Sequence, residues 1–132
     1  MSAAEVPGSV SVLDPKANGD LINHLDELLS RAANVNLTSG ASRARFFQIR
    51  GIGERSQFVE PLNPSVGLIV DGVDLSGLAA AANLFDVQQV EVLRGPQGTL
   101  YGANAMAGLI NVVTPDATET LSGSLQVDAG NY

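Results

Sequence analysis

The chain has 132 residues, 45% of them hydrophobic and 16% charged, which is enough apolar material for one packed domain. Seven Lys and Arg stand against fourteen Asp and Glu, and the net charge of -7 repels phosphate backbones, so no nucleic-acid partner is expected. The absence of cysteine excludes disulfides, thiolate metal centres and a thiol nucleophile, and one histidine excludes a multi-His metal site.

Residues 9–13 (SVSVL) alternate polar and apolar side chains between Pro7-Gly8 and Asp14-Pro15, and read as a short strand. Residues 20–33 are the clearest expected helix. Leu21, Leu25, Leu28 and Ala32 fall on one stripe, widened by Ile22 and Leu29. Residues 36–44 read as a loop and 45–50 as a strand running into Gly51-Ile52-Gly53. A polar stretch with two prolines spans 54–64. Val66 to Val70 is a nearly continuous apolar run, the pattern of a strand covered on both faces, and it ends at the turn pair Asp71-Gly72. Residues 75–86 read as loop plus a short Ala-rich helix, and Val87 to Leu93 as a strand stopped by Gly95-Pro96. After the Gly-, Ala- and Asn-rich 97–108 comes the apolar strand 109–114, and 122–127 alternates once more. No apolar run is long enough for a membrane-spanning helix. Residues 1–5 lack the basic and apolar regions of a secretory leader, which leaves a cytosolic chain or a trimmed one. The expected class is α+β: a small mixed sheet with packed helices and long loops at one end.

Few motifs carry chemistry. The glycine runs at 51–53, 95–98 and 102–108 match no phosphate-loop spacing and have no lysine beside them, so they read as turns and close packing. His24 falls off the apolar stripe of the helix, Asp71 and Asp74 belong to a turn, and Asn36-Leu37-Thr38 is a chance-level acceptor triplet. No Ser/His/Asp arrangement is arguable. Arg50 and Arg94 differ, because each sits inside an apolar strand pattern just before a glycine. If buried, their guanidinium groups need carboxylates or carbonyls. Glu91, read as sharing a strand face with Arg94, is one candidate. The alternative is a pair of exposed strand-end arginines.

Residues 90–114, VEVLRGPQGTLYGANAMAGLINVVT, strongly resemble the plug (cork) domain of TonB-dependent outer-membrane receptors. Two further segments agree in order and spacing: Phe47-Gln48-Ile49-Arg50-Gly51-Ile52-Gly53 and Val66-Gly67-Leu68-Ile69-Val70-Asp71-Gly72-Val73. Residues 6–14 and the helix with Leu25, Leu28 and Leu29 fit the family's plug entry. The resemblance covers about 6–130. It departs mildly at Ala107-Gly108, where the family often has two glycines. On this resemblance the family's barrel is expected to lie outside these 132 residues, and the coupling segment offered to TonB, due just before residue 6, is not recognisable in residues 1–5. The expected division is a plug over 6–120 and, over 121–132, the cut-short start of the first barrel strand or a tail.

The resemblance implies gating. The plug blocks a receptor pore inside its own β-barrel in the cell outer membrane, and its apical loops help bind a scarce nutrient such as a ferric siderophore, haem or cobalamin. TonB then draws the plug aside. No bond is made or broken, so no enzyme activity and no cofactor are expected, and the isolated piece is expected to be soluble. By match to the family's loops, 54–63 and 75–82 are the apical candidates, with Arg55, Gln57, Phe58, Leu75 and Ser76 as ligand-binding residues. The first three suit an anionic, partly aromatic ligand. Arg50 and Arg94 match the family's plug–barrel lock arginines, which pair with barrel glutamates, and Glu91 is grouped with them. Without the barrel, both arginines are expected to be exposed and cheap to replace. Rival readings are a free-standing periplasmic small-molecule binding module and a small cytosolic enzyme using 95–108.

Overall fold

The structure, a computed structural model, describes residues 9–17, 22–38, 44, 46–56, 61–78, 83–121, 123 and 127. Its main sheet has five strands in the order β1-β7-β8-β5-β6: β1 (Ser9–Leu13), β7 (Gln89–Arg94), β8 (Gly108–Val113), β5 (Val66–Val70) and β6 (Val73–Asp74). Only β5 and β8 run parallel, with Val66 opposite Gly108 and Val70 opposite Val112. The other neighbours are antiparallel, so the sheet is mixed. A second sheet joins β2 (Val35–Thr38), β3 (Phe46–Ile49) and β4 (Ile52–Gly53) in that order. This α+β architecture is the one the sequence predicts.

The strand period of two sorts the main sheet into two faces. One carries Val90, Val92 and Arg94 of β7, Ile110 and Val112 of β8, and Val66 and Leu68 of β5. Helix α1 (Leu25–Ser30) covers it with Leu25, Leu28 and Leu29, joined by Ile22 and by Val35, Phe47 and Ile49 of the second sheet. Each such aliphatic side chain contributes about 1.5–3 kcal/mol when fully buried. The opposite face holds a smaller cluster of Ile69, Leu93, Leu109 and Ala105, with Val10 against it. The segment 103–107 lies on this cluster because Gly67 lets it approach: a Cβ at Gly67 would stand 2.7 Å from the Asn104 carbonyl oxygen.

Several boundaries differ from the sequence expectation. Helix α1 starts at Leu25, not near residue 20. His24 is extended (φ -126, ψ 135) and its backbone bridges Asn83, so the chain before Leu25 is held by sheet-like pairing. The helix ends at Ser30, and Asn34 turns the chain at φ 60. Residues 20 and 21 lie outside the described residues. Part of the stretch read as loop is strand: Val35 pairs with Ile49 and Thr38 with Phe46. The Gly- and Ala-rich stretch before β8 contains a short helix, α2 (Gly98–Tyr101). Of the expected Ala-rich helix, 79–82 lie outside the described residues, 75–78 form a turn closed by Leu78 N–H on the Leu75 carbonyl (2.9 Å), and Asn83 holds the bridge to His24. The expected tail strand at 122–127 falls mostly outside the described residues.

Candidate functional site

The topology sends three connections to one end of the main sheet. β5 and β8 are parallel and start there, so the segments leading into them, 61–65 and 95–107, share that end. The turn after β6 returns to it, since β6 runs antiparallel to β5. The turns at 71–72 and 86–88 and the exit at Thr114 lie at the other end.

These connections are tied to one another by polar bonds. The Ser76 hydroxyl accepts from Leu68 N–H at 3.0 Å and donates to Asp74 Oδ1, which also accepts Ser76 N–H at 2.9 Å. Asn104 Nδ2 donates to Asp74 Oδ2 at 2.9 Å. Asp74 is thus the knot between the β6 turn and the 103–107 segment. Partial burial alone would raise its carboxyl, but the bonds from Ser76 and Asn104 outweigh that and hold it below the ordinary 3.8. Glu54 Oε1 accepts both the amide and the hydroxyl of Ser65 at 2.8 Å, fixing the entry to β5. Two acceptors at this end, Glu54 Oε2 and Asn104 Oδ1, are buried without a hydrogen-bond partner.

Between the connections lies an open recess of about 200 Å³. Phe46, Pro61, Leu62, Pro64 and Leu78 give it an apolar wall, with Ser76, Gly77 and Asn104 as its polar part. Leu62 is 96% exposed. Among the described residues, no group of three His, Asp or Glu is arranged to hold a metal ion.

Of the residues expected to contact a ligand, Ser76 lines the recess, but its hydroxyl is engaged on both sides. Leu75, partly buried, packs against the main core and its N–H is bonded to the Leu68 carbonyl at 2.8 Å. Arg55 is exposed and does not line the recess. Gln57 and Phe58 lie outside the described residues. The expected apical loop 54–63 includes Pro61 and Leu62 of the wall, whereas Asn104, Phe46 and Pro64 fall outside the expected loops. The signal available for them was the parallel pairing of β5 and β8, which brings distant connections to one end.

The three lock candidates separate. Arg50 is exposed on the β3–β4 turn, at φ 54. Arg94 is only 5% exposed, and this corrects the expectation of an exposed side chain in the isolated chain. Its Nε and Nη2 donate to the Ala33 carbonyl at 3.2 and 2.8 Å, and its Nη1 donates to Ser11 Oγ at 2.7 Å. Glu91 is not its partner. They are three positions apart, an odd number, so the side chains point to opposite faces of β7. Glu91 accepts instead from Gln89 Nε2 at 2.7 Å and Asn111 Nδ2 at 3.0 Å.

The family model described as the TonB-dependent Receptor Plug Domain matches residues 2–109. The chain belongs to that family. The pesticin receptor of Yersinia enterocolitica is 38% identical over 120 residues, which are 89% of this chain and 17% of that protein. The vitamin B12 transporter BtuB of Vibrio vulnificus is 27% identical over 97% of this chain and 21% of its own length. Among solved structures, the ferric yersiniabactin uptake receptor FyuA from Yersinia pestis superposes with a TM-score of 0.71 at 36% identity, over 90% of this chain and 19% of that one. The plug therefore spans about a fifth of the length of these relatives. They are receptors and a transporter. Within the described residues of the plug, no helix is long and apolar enough to cross a membrane, which says nothing of a β-barrel.

Proposed function

We propose that this plug closes the pore of an outer-membrane active transporter and that its loop end, around the recess between 61–65, 75–78 and Asn104, forms part of the nutrient site. The plug catalyses no reaction in this reading. It acts by position: a rigid mixed sheet carries the connections, a surrounding β-barrel of the same protein supplies the remaining contacts, and TonB, engaging a segment before residue 6, moves the plug. The observation that carries the reading is the convergence of these connections at one sheet end around an open recess, in a chain of the plug family. The relatives support a nutrient of the siderophore or cobalamin kind. Arg50, exposed on its turn, is the arginine free to meet a carboxylate on the barrel wall, while Arg94 serves the plug's interior.

Titration of the isotope-labelled chain with a gallium siderophore, haem and cobalamin tests the reading. A split site should give dissociation constants no tighter than about 100 μM, roughly -5.5 kcal/mol, because ordering side chains costs about 0.5–1.5 kcal/mol each and only part of the contacts are present. The shifts should map to 61–65, 75–78 and 103–107. Submicromolar affinity would instead indicate a free-standing binding module. Binding confined to the Asp71–Thr114 end would overturn the placement of the site.

A further inference from the structure

The loop end has a one-sided charge. From residue 56 to residue 132 the sequence contains a single basic residue, Arg94, and that guanidinium is buried and committed to Ala33 and Ser11. The described connections that build the recess carry no Lys or Arg after Arg55, which does not line it, whereas Glu54 is bonded to Ser65 and Asp74 to Asn104. The Ser76 hydroxyl and one of the two Asn104 amide hydrogens are directed at Asp74, and the Asn104 oxygen is buried without a partner. Behind the apolar wall of Phe46, Pro61, Leu62, Pro64 and Leu78 stands the Asp74 carboxylate, held by Ser76 and Asn104.

Resting on the reading of this end as the ligand-facing one, we infer that the recess discriminates by charge: it accepts an uncharged or cation-bearing metal chelate with an apolar face and disfavours a polyanionic one. Among the described residues that line the recess a polyanion would meet no guanidinium or ammonium, and it would sit beside the Asp74 carboxylate held by Ser76 and Asn104. An amphipathic neutral chelate loses little, because its apolar face meets the proline and leucine wall and it brings no negative charge toward Asp74. This reverses the expectation, drawn from Arg55, of an anionic ligand.

The test is a charge series of gallium chelates titrated into the labelled 132-residue chain at low ionic strength. It compares neutral gallium ferrichrome, cationic gallium desferrioxamine B and polyanionic gallium enterobactin. The first two are expected to shift the amides of Ser76, Gly77 and Asn104 at concentrations at least tenfold below the third. The gap should shrink in about 0.5 M salt, where charges are screened within a few ångströms, and in Asp74→Asn. If that variant does not fold, the salt series decides alone. Equal or tighter binding of the polyanion at the recess, or a gap indifferent to salt, overturns the charge inference and leaves the ligand-facing reading standing. No shift at these amides with any of the three overturns that reading itself.

Discussion

Arg94 spends every donor group it directs at the protein on one carbonyl and one hydroxyl, and both lie far away in sequence. It ties β7 to the edge strand β1 through Ser11 and to the end of the α1 segment through Ala33. Hydrogen bonds from a charged group contribute about 1.5–3 kcal/mol, and removing the donor leaves the Ala33 carbonyl unpaired beside a cavity. Arg94→Ala is therefore expected to lower unfolding stability by about 2–4 kcal/mol in urea titration, and Arg94→Lys to recover only part, since one ammonium cannot fork across both acceptors. Arg50→Ala, on an exposed turn, is expected to change stability by less than about 1 kcal/mol in the same assay. Equal losses at both positions would refute the division of roles between them. Asp74 gives a pH handle. Its pKa is lower folded than unfolded, so its contribution is fully present above the unfolded value near 3.8 and disappears as pH falls through the lower folded value. The urea midpoint of the chain should fall on acidification below that value, and Asp74→Asn should remove this component while lowering the midpoint at neutral pH.

At the scale of elements, close approach decides what the loop end looks like. Gly67 sits in the middle of the sheet face under 103–107, where a Cβ would be 2.7 Å from the Asn104 carbonyl oxygen and 2.8 Å from Leu109 Cδ1. Gly67→Ala is expected to push that segment off the sheet, to cost about 1–3 kcal/mol, and to break the Asn104–Asp74 bond, visible as loss of the Asn104 side-chain amide signal position. Gly108→Ala should be more severe, because a Cβ there meets the Leu93 carbonyl at 2.5 Å between paired strands. The strands flanking these glycines were legible in the sequence. β5, β7 and β8 are apolar runs whose burial on both faces leaves its mark in composition, and β1 has clean alternation. β2 was not legible, because Asn36 and Thr38 face outward and its strand character comes from pairing with β3, which lies across a gap of polar residues. β4 and β6 have two residues each, too short for any period. The early start expected for α1 failed because Ile22 belongs to the core without belonging to the helix: an apolar stripe records burial and not backbone conformation. The same limit applies to the site. Loop position says nothing of which way Leu75 packs, and in the fold it lies against the main core. Asn104 had no local mark and is placed by the parallel β5–β8 pairing.

For the whole molecule, the decisive feature is that its first described strand completes a sheet made from its last ones. Ser9 lies opposite Arg94 and Leu13 opposite Val90, so β1 closes over β7 only after the rest of the chain is in place. Such long-range pairing is expected to make folding slow for the chain's size. It also makes β1 separable in principle. β1 is an edge strand with Val12 half exposed; it pairs with β7 and takes the Arg94 guanidinium, its Leu13 and Val10 pack against the two clusters, and the buried members of those clusters all come from other elements. Removing residues 1–13 is therefore expected to leave a folded but weakened domain. It would lose the β1 ladder and the Ser11 bond, several kcal/mol together at about 0.5–1.5 kcal/mol per backbone bond. It would also bare the edge of β7, which invites edge-to-edge association. Hydrogen exchange should show β7 amides losing protection while those of β5 and β8 along their shared parallel pairing keep it, and size-exclusion chromatography should show a concentration-dependent dimer. Complete loss of protection in β5 and β8 would mean that β1 is integral to the core and that the sheet folds as one indivisible unit. Unchanged protection in β7 would mean that the edge strand adds nothing. The intermediate outcome is the one the register supports, because only β7 pairs with β1, and β8 and β5 stand between β7 and the opposite edge strand β6.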